Sequence, residues 1–361
     1  MIRILHAADL HLDGSFEALA PEQAAQRRED ERQMLRRLAE LCRERACDLL
    51  LLAGDVFASS TVSRETVELL LELLGGLDTK VFIAPGSSDP YTPESVYATV
   101  RWPENVHIFK TREISTVRLT DPDICVCGAA FQEPREGGLL RDFMAPEEGI
   151  PTIMVLHGVL GDPASPYDPI SEQEIRNSRL RYLALGHQHR AERMQVGSTV
   201  VCVPGCAIAR SFDEPGPQGA WLVELDTEDC TVHPIDLGGR VYETLTVPVT
   251  ASPLADVEAT LPHDADGKLW RITLTGTCEP FDAEALRSAL APRFYALELV
   301  DETLPLPTFW QSAETDTLKS EFLRNMKDSY DRAQDAEGRR LAVQAARLGL
   351  DILEGREVTG L

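Results

Sequence analysis

Aspartate and histidine recur in this chain as short clusters, each placed just after an apolar run. Asp9-Leu10-His11 follows IRILHAA, Gly54-Asp55 ends DLLLLAG, His157-Gly158 follows TIMVL, and Gly186-His187-Gln188-His189 follows YLAL. Four of the eight histidines lie in these clusters. Singly, each has an ordinary structural reading: D-x-H occurs at many turns, and Gly-Asp after a strand is common turn chemistry. Gly-His-x-His is more specific, because two imidazoles in one short loop are costly to bury unpaired. Taken together and in order, they fit one chemistry. Carboxylate oxygen and neutral imidazole suit Mn²⁺, Fe²⁺ or Zn²⁺. A carboxylate has two oxygens and can bridge two cations, and two cations ~3.5–4 Å apart can activate a water and clamp a phosphoryl group.

Such a set works only if strands deliver it to one place. Residues 2–8 read as a buried strand, about 29–45 as a helix with apolar residues at Met34, Leu35, Leu38, Leu41 and Cys42, and 48–54 as a second buried strand. A helix over about 64–74, stopped by Gly75-Gly76, and the strand KVFIA complete a β-α-β-α-β opening. That order predicts an α/β sandwich with mostly parallel strands, and sites in such sheets form beyond the carboxyl ends of the strands. The strand-rich stretch that follows calls for a second sheet. Beyond Pro248 and the small polar residues 250–253, LWRITLTG, a helix at FDAEALRSALAP and FYALELVD predict a small α+β domain. From about Asp316 the chain turns helical, with Gly338 and Gly349 as expected breaks. The expected organisation is 1–242, 243–312 and a helical tail 313–361.

Of the 361 residues, 35 are Lys or Arg and 59 are Asp or Glu, a net charge of −24. Divided near Tyr242, both parts are acidic. A protein that holds DNA alone shows a basic footprint, because phosphate contacts come from Lys and Arg. Bound divalent cations or a basic partner must therefore supply part of any such attraction. The eight cysteines include no C-x-x-C pair, which argues against a zinc ribbon and for small buried side chains in a reducing compartment. No apolar run reaches the ~18 residues of a membrane span. The first residues lack the basic and apolar regions of a signal peptide, so a cytoplasmic location is expected. There is no G-x-x-x-x-G-K-[ST] loop and hence no sign of an intrinsic ATPase. The four tryptophans are scattered rather than interleaved with basic residues, unlike a base-stacking platform. Arg210 is a candidate phosphate contact, or an ion-pair partner of Asp213 or Glu214. The loop Gly161–Pro169 is a surface loop or a wall of the substrate groove.

The ordered motifs Asp9-x-His11, Gly54-Asp55, Gly86-x-x-Asp89, His157 and Gly186-His187-x-His189 resemble those of calcineurin-like metallophosphoesterases. HAADLHLDG, PGCAIARSFDEPGPQGAWLVEL, the LWRITLTG-to-FYALELVDET region and ARLGLDILEGREV narrow the resemblance to the SbcD/YhaO-type DNA repair exonuclease subunits, along nearly the whole chain. The resemblance implies a metallophosphoesterase β-sandwich flanked by helices, with a small capping domain and a helical tail. It implies two metal ions, with Mn²⁺ the expected metal: Asp9, His11 and His189 around one, His157 and His187 around the other, and Asp55 bridging both. It also implies an SbcC/YhaN-like coiled-coil ATPase as partner, DNA bound in that complex, and a homodimer as a common family state. Leu341, Val343, Ala346, Leu350 and Leu353 are the expected contact stripe for the ATPase.

One motif departs from the family. Gly-Asn-His-Asp is usual after the third strand, whereas this chain has Gly86-Ser87-Ser88-Asp89. The resemblance places Ser87 where an Asn completes the second metal's shell, and Ser88 where a His works beside the scissile phosphate, with Asp89 in the same catalytic motif. A serine hydroxyl is a short neutral ligand with no pKa near 7. General acid–base help is worth typically 10²–10⁴-fold in rate. Neither His6 nor His107 is placed by the sequence to substitute. The expectation is a metal-dependent phosphodiesterase of the exonuclease type with a weak or empty second site. The alternatives are a catalytically impaired structural subunit of the ATPase complex, and a small-molecule phosphoesterase.

Overall fold

The computed structural model describes residues 1–361 apart from 17, 18, 20, 147, 148, 227, 228, 280, 306–309, 311–316 and 356–361. The chain divides into two compact units, Met1–Arg240 and Val241–Leu361.

The first unit holds two six-stranded sheets. In one, Ile2–Ala7, Leu49–Leu52, Lys80–Ile83 and Val106–Ile108 run parallel, and Gly219–Leu225 and Cys230–Asp236 extend it antiparallel on the other side of Ile2–Ala7. In the other, Asp123–Gly128, Thr152–His157, Tyr182–Gly186 and Thr199–Val203 are parallel, flanked at the edges by antiparallel Ser115–Thr120 and Glu192–Val196. Successive residues of a strand face opposite ways. Leu49 and Leu51 therefore join Ile4, Phe82, Ile153, Val155 and Tyr182 between the sheets. Leu50 and Leu52 instead pack with Leu35, Leu38, Leu41, Leu70 and Leu74 of the helices Pro21–Glu44 and Arg64–Gly75. A third cluster covers the far face of the second sheet, where Met154, Leu156, Leu183 and Leu185 meet Ile175. Because both faces of the central strands are covered, they read as unbroken apolar runs. The result is an α/β sandwich with mostly parallel strands, as the order of elements predicted.

The first helix begins at Pro21, eight residues before the periodicity shows it. Its first half packs charged side chains: Arg27 and Glu31 are buried.

The two sheets come closest at the carboxyl ends of their strands. A Cβ on Gly186 would lie 1.8 Å from the Ala53 carbonyl oxygen and 3.0 Å from the Ala8 Cβ. Only a glycine lets the loop at 187–189 reach the loop at 9–11. Gly186→Ala is expected to cost about 3 kcal/mol or more, a fall in Tm of roughly 10 °C in calorimetry. Gly137→Ala, whose Cβ would meet nothing nearer than 3.9 Å, serves as a control that leaves Tm unchanged.

In the second unit, Tyr242–Pro248, Leu269–Thr275 and Ala296–Asp301 form a parallel three-stranded sheet, with helices Pro253–Thr260 and Ala283–Leu290 between successive strands. Pro248 thus ends the first strand of this unit, whereas the sequence pattern places the unit's strands and helix only beyond it. Helices Leu318–Arg332 and Ala336–Leu353 pack on each other through Leu323 and Ala346, with Met326, Tyr330, Val343 and Leu350 around them. This divides the expected contact stripe. Val343, Ala346 and Leu350 face the companion helix, while Leu341 and Leu353 are exposed. Neither expected glycine break occurs. The helices part at Ala333, Gly338 lies in the first turn capped by Asp335, and Gly349 lets the ring of Phe322 approach. The junction near 312–313 lies outside the described residues. Among the described residues no helix is long and apolar enough to cross a membrane.

Candidate metal centre

Asp9 and His11 follow the first strand, Asp55 the second, His157 ends the strand Thr152–His157, and His187 and His189 follow Tyr182–Gly186. The loops are tied together by backbone bonds, with Asp9 N–H donating to Gly54 O (3.1 Å) and His11 N–H to Asp55 O (2.9 Å). The His187 N–H donates to both oxygens of Asp9, at 3.1 and 2.9 Å. Asp9, His11, Asp55 and His187 all adopt positive φ, between 44° and 86°. Left-handed backbone at non-glycine residues costs about 1–3 kcal/mol each and persists where the surroundings impose it. Here it turns four side chains toward one point.

The imidazoles meet in two pairs. His11 Nε2 lies 3.2 Å from His189 Nε2, and His157 Nε2 lies 3.1 Å from His187 Nδ1. Two nitrogens bound at right angles to one cation at about 2.1 Å would be about 3 Å apart. Asp55 sits between the pairs, its oxygens 3.8 Å from His11 Nε2 and 3.5 Å from His157 Nε2. Asp9 has an oxygen within 4.8 Å of ligand atoms in both groups, with His11 and His189 on one side and Asp55 and His157 on the other.

The electrostatics suit cations. Burial favours neutral rings at three of these histidines, lowering His157, taking His11 to about 3 and His187 to about 4. Burial, reinforced by Asp55, pushes Asp9 well above the usual carboxylate range. Burial also opposes ionisation of Asp55, but the adjoining His157 and His11 and two hydrogen bonds from Ser88 outweigh it and hold that carboxyl low. Neither Asp9 nor Asp55 pairs with a Lys or Arg among the described residues. Buried carboxylates without a basic partner, beside neutral imidazole lone pairs, are the donor set of a divalent metal site.

Ser87 and Ser88 both reach this cluster. The Ser87 hydroxyl lies 3.2 Å from His157 Nε2 and 3.4 Å from Asp55 Oδ2. The Ser88 hydroxyl donates to Asp55 Oδ2 at 2.7 Å and its N–H to Oδ1 at 2.8 Å. Asp89 is placed differently. It is buried and accepts from Phe57 N–H, Gly86 N–H and the Tyr97 hydroxyl, at 3.0, 2.8 and 2.5 Å. Those bonds hold the loop 86–89 against the second strand's loop rather than aiming Asp89 at the cluster.

Further contacts surround the cluster, and of these the one between Glu214 and His189 was not foreseen from the sequence. The Tyr167 ring packs on His187, with centroids 4.6 Å apart, so the loop after His157 does wall the site. Glu214 Oε1 lies 2.6 Å from His189 Nδ1. Arg210 meets Glu214 through its backbone N–H (2.7 Å), not through an ion pair, and its guanidinium is close enough to His11 to disfavour that ring's protonation. Glu214 lies in SFDEPG, two strands beyond His189, and nothing in the sequence spacing ties it to that ring.

His6 and His107 stand apart. His107 packs on Phe82 and Phe109. His6 is buried between the sheets, its Nδ1 2.8 Å from the Tyr182 hydroxyl, and burial lowers its pKa from 6.5 to about 3. The depressed value means that His6 withdraws stability as pH falls from about 6.5 to 3, because only the unfolded chain accepts the proton there. At 1.36 kcal/mol per unit this amounts to about 4 kcal/mol at pH 3. Urea titrations of the metal-free protein should show stability falling with acid by one proton more than in His6→Gln.

The calcineurin-like phosphoesterase family profile matches residues 2–191. The chain is 27% identical over 321 residues to the uncharacterized metallophosphoesterase YhaO of Bacillus subtilis, covering 82% of this chain and 77% of that protein. Among solved structures, TT1561 of Thermus thermophilus is 14% identical with a TM-score of 0.42, covering 66% of this chain and 99% of its own. A dimetal phosphatase of Danio rerio is 10% identical with a TM-score of 0.42, covering 66% and 96%. The chain belongs to the calcineurin-like phosphoesterase family, whose members are metal-dependent hydrolases.

Proposed function

We propose that this phosphoesterase is a slow, metal-dependent phosphodiesterase of the DNA exonuclease type. The observation that carries the reading is the pair of facing imidazole pairs with Asp55 between them. Asp9, His11 and His189 would hold one cation, His157 and His187 a second, and Asp55 both, with Mn²⁺ the metal expected. Bound cations of this kind supply an activated water and neutralise charge on phosphoryl oxygens. The chain's own part is to aim the ligands, keep His11, His157 and His187 neutral and wall the site with Tyr167. Ser87 offers the second cation only a hydroxyl, and Ser88 has no proton to give near pH 7, so the leaving oxygen departs without a side-chain acid.

The substrate and partner follow from the resemblance. Residues 243–312 would correspond to the family's capping domain, with DNA the substrate. The helices of 313–361 would dock an SbcC/YhaN-like coiled-coil ATPase, with exposed Leu341 and Leu353 in the contact. The net charge of −24 supports DNA binding in such a complex rather than alone. A cytoplasmic homodimer is the setting proposed. The serine pair favours a second reading, a structural subunit that keeps the fold and a metal but little catalysis. Mn²⁺-dependent hydrolysis of linear DNA, bis(p-nitrophenyl) phosphate and nucleotides decides among these. Cleavage of DNA and the diester supports the exonuclease reading, cleavage of nucleotides alone the small-molecule enzyme, and no cleavage with metal bound the structural subunit.

A further inference from the structure

His189 is the open member of its pair. Its side chain is 37% exposed, whereas His11 is buried. A ring on a loop with that much freedom presents its lone pair to a cation only if something fixes both its tautomer and its orientation. His157 has such a device, since its Nδ1 lies 3.2 Å from the Ala53 carbonyl oxygen and donates to it, leaving Nε2 bare. For His189 the corresponding atom faces Glu214, with Nδ1 2.6 Å from Oε1. Glu214 is itself buried and held. Its Oε2 accepts the Arg210 N–H at 2.7 Å, its own N–H donates to Ser211 O at 3.2 Å, and its carbonyl accepts the Gln218 side chain at 3.2 Å. Backbone and side chain of Glu214 are thus both tied into the segment between Thr199–Val203 and Gly219–Leu225.

We propose that Glu214 is a positioning residue of the metal centre. Its carboxylate takes the Nδ1–H of His189, so that Nε2 carries the lone pair and points it at the spot that His11 Nε2 also faces. The inference rests on the metal-centre reading above. It adds a residue from outside the ordered motifs, and it explains why a carboxylate is buried against the open face of the site.

A competing chemistry uses the same atoms. His189, Cys206 and Glu214 offer ligand atoms within 4.8 Å of one another, the donor set of a separate soft-metal site. The 2.6 Å contact argues against it, because two atoms bound to one cation at about 2.1 Å would be about 3 Å apart. The contact has the length of a charge-assisted hydrogen bond.

The test is cation binding to the full-length protein, measured calorimetrically with Mn²⁺ alone. Removing the carboxylate partner of a metal-bound histidine typically weakens metal affinity about 10–100-fold. Glu214→Gln should raise the Kd of the site by that factor, Glu214→Asp should restore most of the loss, and both metal-free variants should melt near the parent. Nitrogen-15 spectra of the metal-free parent should show His189 protonated at Nδ1. Affinity within twofold of the parent in Glu214→Gln, or His189 protonated at Nε2 in the parent, overturns the proposal. So does an equal loss of affinity in Cys206→Ala, which would put a cation on the Glu214–Cys206–His189 cluster. Asp9→Asn separates the two levels. If it leaves Mn²⁺ binding intact, the metal-centre reading itself fails; if it abolishes binding while Glu214→Gln does nothing, only the positioning role fails.

Discussion

Asp55→Asn should lower kcat/KM on bis(p-nitrophenyl) phosphate by about 10³-fold with Mn²⁺ and reduce the number of bound ions below that of the parent. The carboxylate is buried between the two imidazole pairs, with oxygens 3.8 Å from His11 Nε2 and 3.5 Å from His157 Nε2. Asparagine has the same shape and can still accept the Ser88 N–H, so the fold should survive. It has one acceptor oxygen and no charge, and cannot serve two cations at once. A factor of 10³ corresponds to about 4 kcal/mol of transition-state stabilisation, within the several kcal/mol that a divalent cation supplies to a phosphoryl oxygen. Ion counting by mass spectrometry of the native protein provides the readout besides rate. A loss below tenfold, with as many ions bound as in the parent, would remove Asp55 from the bridging position.

Changing Ser87 to Asn together with Ser88 to His should raise the rate on the same diester by about 10²-fold or more, the lower end of what a general acid contributes. At present both hydroxyls lie on Asp55, and Ser88 donates to it twice. They therefore compete with cations for the lone pairs of the bridging carboxylate. Asn at 87 replaces a hydroxyl with an amide oxygen that reaches further toward His157, and His at 88 supplies a group that can protonate a leaving oxygen near neutral pH. The rate of the double variant should depend on pH through an imidazole, which the parent rate should not. Ser87→Asn alone is expected to improve ion occupancy more than rate. An unchanged rate in the double variant would mean that the serines are not what limits this enzyme.

The legible parts of the fold were those written in apolar periodicity. Leu49–Leu52 buries both faces of a central strand, so four leucines in a row announced it. The start of the first helix was hidden for the opposite reason. Arg27 and Glu31 are buried there, Arg27 bonding Asp30 and the Ala209 carbonyl and Glu31 the Asp13 and Gly14 amides. Burial of a charged residue leaves no apolar mark. The expected stripe on the last helix failed similarly, because amphipathic spacing shows that a face is covered but not by what. Leu323 and Trp310 of the same unit cover most of it.

For the site, the residue types and their order after successive strands were enough to expect these side chains to gather, since parallel strands deliver their carboxyl ends to one edge. What the sequence could not hold was direction. Which nitrogen of each ring faces the partner ring, that Asp89 spends its oxygens on Phe57, Gly86 and Tyr97, and that Glu214 reaches His189 all depend on contacts between residues distant in the chain. Such contacts exist only once the two sheets close on Gly186. Donor identity is a local property of the chain, whereas lone-pair orientation and hydrogen-bond partnership are properties of the packed molecule.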